Sequence, residues 1–167
     1  MSSSDASARR RRLLRAAPAL LLAGCGFELK RAAELHFESI ALTGFAPRSP
    51  LAQELRTTLE RSVKVTDDQA QAQVVFQALA DQRTRRAVAY TASGQVRDIQ
   101  LRMLLRYRAQ TPSERELIPV SAIEKIREMT FIESAALGKQ QEEQDVYREM
   151  QSDMVLQLML QLSTIRL

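Results

Sequence analysis

Two residue types that carry much of enzyme chemistry are almost missing from this chain. Among its 167 residues there is one cysteine, Cys25, and one histidine, His36. One of each cannot assemble a His/Cys zinc set. His36 has no cysteine or patterned acidic partner near it in sequence and reads as a surface residue. There is no glycine-rich phosphate loop, no internal repeat and no low-complexity segment. No uncharged apolar run approaches the roughly 20 residues that a membrane-spanning helix needs. Acidic pairs such as Glu142-Glu143 fall on the polar side of a helical pattern, as a solvated face would. No catalytic constellation emerges, and the expected class is a non-enzyme with no metal and no cofactor.

What is present begins with an uneven start. Arg9, Arg10, Arg11, Arg12 and Arg15 precede the apolar run Ala16 to Ala23, and Ala23-Gly24 is a small-residue pair. Basic region, short apolar core and small residues at the cut make residues 1–24 a secretory signal peptide. The whole chain carries 24 basic and 20 acidic side chains; without the five Arg and single Asp of residues 1–24, 19 of each remain. The mature part is neutral, so the high isoelectric point belongs to the leader and gives no electrostatic case for nucleic-acid binding. Residues 25–167 are long enough for one sizeable core.

A lone cysteine in an exported protein suggests intermolecular pairing or a reactive thiol. Its place at the cut site offers a third reading. Leu22-Ala23-Gly24-Cys25 resembles a bacterial lipobox, where the cysteine sulfur takes a diacylglycerol and the new amino terminus is usually acylated as well. Each buried CH₂ contributes about 0.8 kcal/mol, and more than one chain gives stable anchoring. An ordinary signal peptide with a chance cysteine is the alternative. With Cys25 as a lipid attachment point, cysteine–histidine catalysis is excluded too. The arginine-rich start loosely resembles a twin-arginine signal, which leaves the export route open. Gly26 rather than Asp follows the cysteine; by resemblance to bacterial lipoproteins this implies the outer membrane.

Residues 25–33 read as a lipidated tether and 34–167 as one α+β domain. Glu34 to Leu42 has strand-like composition. Ser49-Pro50 is a helix start, Ser capping and Pro at the first helical position. Leu51, Leu55, Leu59 and Val63 then mark a helix with one buried stripe, ending near Arg61 or Val63. A strand begins at Gln73 to Leu79, a basic stretch follows, and Ala87 to Tyr90 leads to a Ser93-Gly94 turn. Ile99, Leu101, Met103, Leu105 and Tyr107 alternate with polar residues, Leu104 excepted, as in a strand with one buried and one wet face. After a turn at Thr111 to Glu114, Leu117 to Phe131 reads as another strand. Gln140 to Thr164 is a helix with Val146, Met150, Met154, Leu158 and Leu162 on its stripe and Gly138 just ahead of it; its methionines read as core filler. The order β-α-β-β-β-α predicts a two-layer sandwich: two helices on one face of a four-stranded mixed sheet, the first connection parallel and the later ones antiparallel.

Charge is unevenly spread. Seven arginines and one acid, Asp98, lie between Arg83 and Arg108, whereas acids outnumber bases seven to two from Glu128 to Asp153. Arg102, Arg106 and Arg108 should share the wet face of one strand. Arginine grips phosphate in a bidentate fork, so a phosphorylated partner or an acidic protein surface suits this region; a solvated face with cross-strand ion pairs is the plain alternative.

Cys25-Gly26-Phe27-Glu28-Leu29-Lys30, Ser93-Gly94-Gln95 before a long strand, Pro119-Val120-Ser121-Ala122, and Ala135-Ala136-Leu137-Gly138-Lys139 leading into Tyr147-Arg148-Glu149-Met150 together resemble the LPS-assembly lipoproteins of the LptE family. The likeness covers nearly all the mature chain. It implies two helices on a four-stranded sheet, and a periplasmic-side, lipid-anchored place in the outer membrane. It further implies a 1:1 complex with a β-barrel of the LptD type, which the lipoprotein plugs and helps assemble, and contact with lipopolysaccharide during its delivery to the cell surface. The family's lysine in Ala-Leu-x-Lys falls on Lys139. The basic residue sometimes found before the Ser-Gly turn is absent, since Ala92 stands there. Arg83, Arg85 and Arg86 are therefore further candidate lipopolysaccharide contacts, with Arg102 and Arg106 on the wet face. A structural lipoprotein that scaffolds another barrel or the cell wall is the second reading, distinguished by what co-purifies. Mass spectrometry of the mature amino terminus should find Cys25 carrying acyl chains; an unmodified Cys25 contradicts the anchor.

Overall fold

The computed structural model describes residues 34–131 and 136–167. The expectations for the leader, Cys25 and the tether fall outside these residues. The described chain runs β1 (Ser39–Thr43), α1 (Pro50–Leu59), β2 (Lys64–Thr66), a 3₁₀ turn at Gln69–Gln71, β3 (Val74–Tyr90), β4 (Val96–Gln110), β5 (Glu116–Thr130) and α2 (Ala136–Leu162).

The sheet has five strands in the order β2-β1-β3-β4-β5. β1 pairs in parallel with both β2 and β3, while β3–β4 and β4–β5 are antiparallel. The α+β sandwich, its mixed sheet and both helices on one face follow the expectation; β2 is the addition. Three residues, Lys64 to Thr66, are too few to show a period of two, and only Val65 among them is apolar. Once α1 returns the chain to the edge of β1, they pair with Ser39, Ile40 and Ala41.

β4 explains the layers. Its alternation places Ile99, Leu101, Met103, Leu105, Tyr107 and Ala109 in the core, all nearly inaccessible. α1 covers this face with Leu51, Leu55 and Leu59, and α2 with Met150, Met154, Val155, Leu158, Met159 and Leu162. Burying each such side chain contributes about 1.5–3 kcal/mol relative to exposure. Phe45, Phe76 and Tyr107 stack, with ring centroids 5.9 and 5.1 Å apart. The Tyr107 hydroxyl donates to Gln161 of α2, and burial pushes its pKa up.

Three boundaries differ from the sequence reading. β3 is one 17-residue strand and absorbs the basic stretch. Its arginines divide between the two faces, and β4 pairs with it along its length, across register shifts at Ala78/Ala80 and near Ala87 to Tyr90. α1 stops at Leu59, and Val63 packs in the core beyond the helix end. α2 starts at Ala136 and runs through Gly138, which costs a helix about 1 kcal/mol against alanine but is tolerated under tertiary packing.

Local chemistry fixes the connections. The Ser49 hydroxyl accepts from the Ala52 amide at 3.1 Å, capping α1, and donates to Asp81 of β3. At Gly44, φ is +76°, and a Cβ there would lie 2.1 Å from the Ala78 carbonyl oxygen. The two antiparallel turns are built alike. In both 91–95 and 111–115 the first threonine accepts from the amide four residues on at 3.1 Å and bonds a serine hydroxyl two residues on at 2.9 Å. The fourth residue has positive φ in each: Gly94 at 81° and Glu114 at 64°. Only the second holds a side chain there, a strain of about 1–2 kcal/mol.

Two substitutions should therefore move stability in opposite directions. Glu114→Gly relieves the left-handed strain and should raise the melting temperature by a few degrees, the flexibility of glycine in the unfolded chain offsetting part of the gain. Gly44→Ala should lower it sharply, because the Cβ meets backbone. Thermal melts followed by circular dichroism check both; equal melting temperatures for Gly44→Ala and the parent would contradict the close approach.

Candidate functional site

The candidate basic residues divide between two faces of the sheet. β3 registers Arg83 with Met103 and Arg85 with Leu101, both buried under the helices, so Arg83 and Arg85 lie on the helix side. Arg86 registers with Gln100, and Arg102 and Arg106 belong to the opposite, open face. The sequence places Arg102, Arg106 and Arg108 together correctly. It does not show that Arg83 and Arg85 part from Arg86, because the phase of a strand is hidden inside a run of arginines. Lys139, on α2, belongs with the helix-side group.

That group forms a seam between β3 and the amino-terminal half of α2. Arg83 donates to Gln151 and stacks 5.4 Å from the Tyr147 ring centroid. Arg85 pairs with Glu143 at 3.0 Å and stacks 5.2 Å from the Phe131 ring centroid. The Tyr147 hydroxyl donates to the Thr84 carbonyl at 3.0 Å, stitching α2 to the β3 backbone. Burial pushes the Tyr147 pKa up and Glu143 adds to the rise, while Arg83 and Arg85 pull it down. Gln151 is buried and donates to the Pro50 carbonyl at 3.1 Å and to Glu54, so α1 joins the same network. Lys139 pairs with Glu142 at 2.7 Å.

Two clefts flank Tyr147. One, of about 490 Å³, is lined by Arg85, Phe131, Gln140, Glu143, Gln144 and Tyr147. The other, of about 500 Å³, lies between the helices with Arg83, Glu54, Gln144, Arg148 and Gln151 in its wall. The first combines a cation, an aromatic floor and exchangeable carboxylate partners. The sequence reading missed Phe131 and Tyr147 as site residues; Phe131 follows the end of β5 and Tyr147 sits in the middle of α2, and an aromatic ring in either place is a signal that core packing produces equally well.

Among the described residues, no group of His, Cys, Asp and Glu could hold a metal ion, and no helix is long and apolar enough to cross a membrane. His36 is exposed.

A family model for lipopolysaccharide assembly, LptE, matches residues 37–162, most of the chain. The chain belongs to the LptE family. Its role thus lies in lipopolysaccharide assembly. It is 30% identical over 152 residues to the LPS-assembly lipoprotein LptE of Pectobacterium atrosepticum, covering 87% of this chain and 80% of the relative. In structure, this LptE-family chain is similar to the uncharacterized lipoprotein B of Nitrosomonas europaea, at TM-score 0.70 and 27% identity over 83% of this chain and 90% of the other. The minor lipoprotein of Acinetobacter baumannii shares the fold at TM-score 0.63 and 17% identity, covering 78% and 93% of the two chains.

The Arg85–Glu143 pair is part-exposed, with side-chain accessibilities of 44% and 20%. Such pairs contribute about 0–1 kcal/mol. A double-mutant cycle of Arg85→Ala and Glu143→Ala in thermal or urea unfolding should give a coupling below about 1 kcal/mol; a larger value would mean the pair is structural and its arginine unavailable to a ligand.

Proposed function

We propose that this chain is a lipoprotein anchored through Cys25 on the periplasmic side of the outer membrane, with residues 25–33 as tether to a domain spanning 34–167. There it plugs an LptD-type β-barrel in a 1:1 complex, helps that barrel assemble, and contacts lipopolysaccharide on its way to the cell surface. It works by binding, without catalysis, and its one covalent group is the lipid on Cys25. Family membership supports the assembly role, and the curated relative's description as a lipoprotein supports the anchor.

The observation that carries lipopolysaccharide contact is the seam cleft. Arg85 lies between the Phe131 ring and the Glu143 carboxylate. A lipopolysaccharide phosphate offers the same acceptor geometry as that carboxylate with more charge, and the guanidinium fork takes it bidentately. Exchange costs little, since an exposed pair holds weakly. Lys139, one residue before Gln140 of the cleft wall, supplies a second cation once it leaves Glu142. Phe131 and Tyr147 give an apolar floor for a sugar face or the start of an acyl chain. Arg83 supports the seam from the far side of Tyr147. Arg86, Arg102 and Arg106, on the open face, stand outside this cleft.

The test uses purified lipopolysaccharide and fluorescence or calorimetric titration. Lys139→Asp combined with Arg85→Asp should weaken binding at least about tenfold, since charge-assisted bonds contribute about 1.5–3 kcal/mol each and 1.4 kcal/mol is tenfold. Glu143→Gln, which removes the competitor for Arg85, should tighten it. Unchanged affinity in the double variant would sink the basic cleft as a lipopolysaccharide site.

A further inference from the structure

The open face of the sheet is divided into a satisfied half and an unsatisfied half. Toward the 91–95 turn its polar side chains complete one another across three strands. Arg86 donates to Gln100 at 2.9 Å, Gln100 donates to Glu128 at 3.0 Å, and Arg102 pairs with Glu124. Toward the 111–115 turn this pattern stops. Arg106 is exposed, and its side chain makes neither a hydrogen bond nor an ion pair among the described residues. Its register partners are Ala80 and Ala122, which offer no side-chain acceptor. Arg108 reaches only the neutral amide of Gln77, at 2.8 Å. Glu116, registered with Gln110, is the nearest carboxylate by strand position on this half and makes no ion pair with either arginine among the described residues.

The surround is apolar. Leu104 is half-buried between Arg102 and Arg106. Val120, 53% exposed, lies where the β4–β5 register skips opposite Arg108. Leu79, 41% exposed, sits at the bulge between Ala78 and Ala80 on the side that Gln77 faces. Two cations without a countercharge, ringed by Leu79, Leu104, Val120 and two alanines, have the composition of an interface core: arginine enriched, other charges depleted, apolar neighbours that exclude water.

We infer that the Arg106–Arg108 half of the open face docks a protein surface presenting a carboxylate among apolar side chains. Given the function proposed above, on which this rests, that surface belongs to the barrel. Charge complementarity requires an anionic partner. The form of the site favours protein over lipid: a small amphiphile takes a concave pocket, and the clefts with aromatic floors lie on the helix side. The cleft on this half of the open face, of about 330 Å³, has no aromatic wall and is lined by neither Arg106 nor Arg108, so these arginines offer a surface for a wall. On docking, the apolar ring desolvates the arginine–carboxylate pair, which strengthens it and sets the register of the two proteins. The edge of the contact falls between Arg102 and Arg106, where internal pairing ends.

Co-expression of the full lipidated chain with its barrel, and measurement of barrel recovered per chain, tests this. Arg106→Glu should lower recovery at least tenfold and Arg106→Gln by less, with Arg86→Glu in the satisfied half near the parent and lipopolysaccharide affinity retained in all three. If Arg106→Glu melts abnormally, Arg106→Gln decides. Parental recovery with the Arg106 variants overturns the docking surface while leaving the proposed function standing. So does a loss confined to lipopolysaccharide binding, which would make the occupant a lipid. So does a parental self-association that the variants abolish, which would make it a second copy. A parent that recovers no barrel at all removes the functional reading itself, and the inference with it.

Discussion

The described fold depends on one buried stripe. β4 sits between β3 and β5 and presents six side chains from Ile99 to Ala109 to a single side. Two helices must cover them, and α1 and α2 do so from the same direction. A sheet covered on one face leaves the other face to water or to a partner. Placement of the charged groups on β4 then follows from strand phase: residues in step with Leu101 meet the helices, and residues in step with Arg102 face outward.

That phase rule gives the arginine-rich middle of the chain its sense. Arg83 and Arg85 turn toward α2, where Gln151, Glu143 and two aromatic rings receive them. Arg86 and Arg102 turn outward and are matched by the amide and carboxylates of neighbouring strands. The acidic character of α2 partly answers the helix-side arginines, as Glu143 does for Arg85 and Asp153 does for Arg127 at 3.8 Å. The described residues thus hold separate sites of local charge, one a cleft with an aromatic floor and one an open, apolar-ringed cation pair.

Much of this is legible in the residue order. The period of two in β4, the four-residue spacing of Leu51, Leu55 and Leu59, the Ser49-Pro50 start and the Met150-to-Leu162 stripe each state their element plainly. β2 is not legible, because three residues carry no period and its pairing is set by the return of α1. The basic run in β3 is not legible as strand, since its arginines are polar on both faces and alternation needs contrast. The seam cleft is half legible: Lys139 and Arg85 are nominated by charge, but Phe131 and Tyr147 acquire their roles only when the end of β5 and the interior of α2 meet beside Arg85.

Family membership places this architecture in lipopolysaccharide assembly, and the seam cleft and the open-face arginines are the two surfaces on which the proposed contacts rest. The most direct measurement is controlled depletion of the chain in its native cell, with newly made lipopolysaccharide quantified at the cell surface. The account predicts that surface lipopolysaccharide falls as the chain is lost and that synthesis continues behind the block. Undiminished delivery after complete depletion would contradict it.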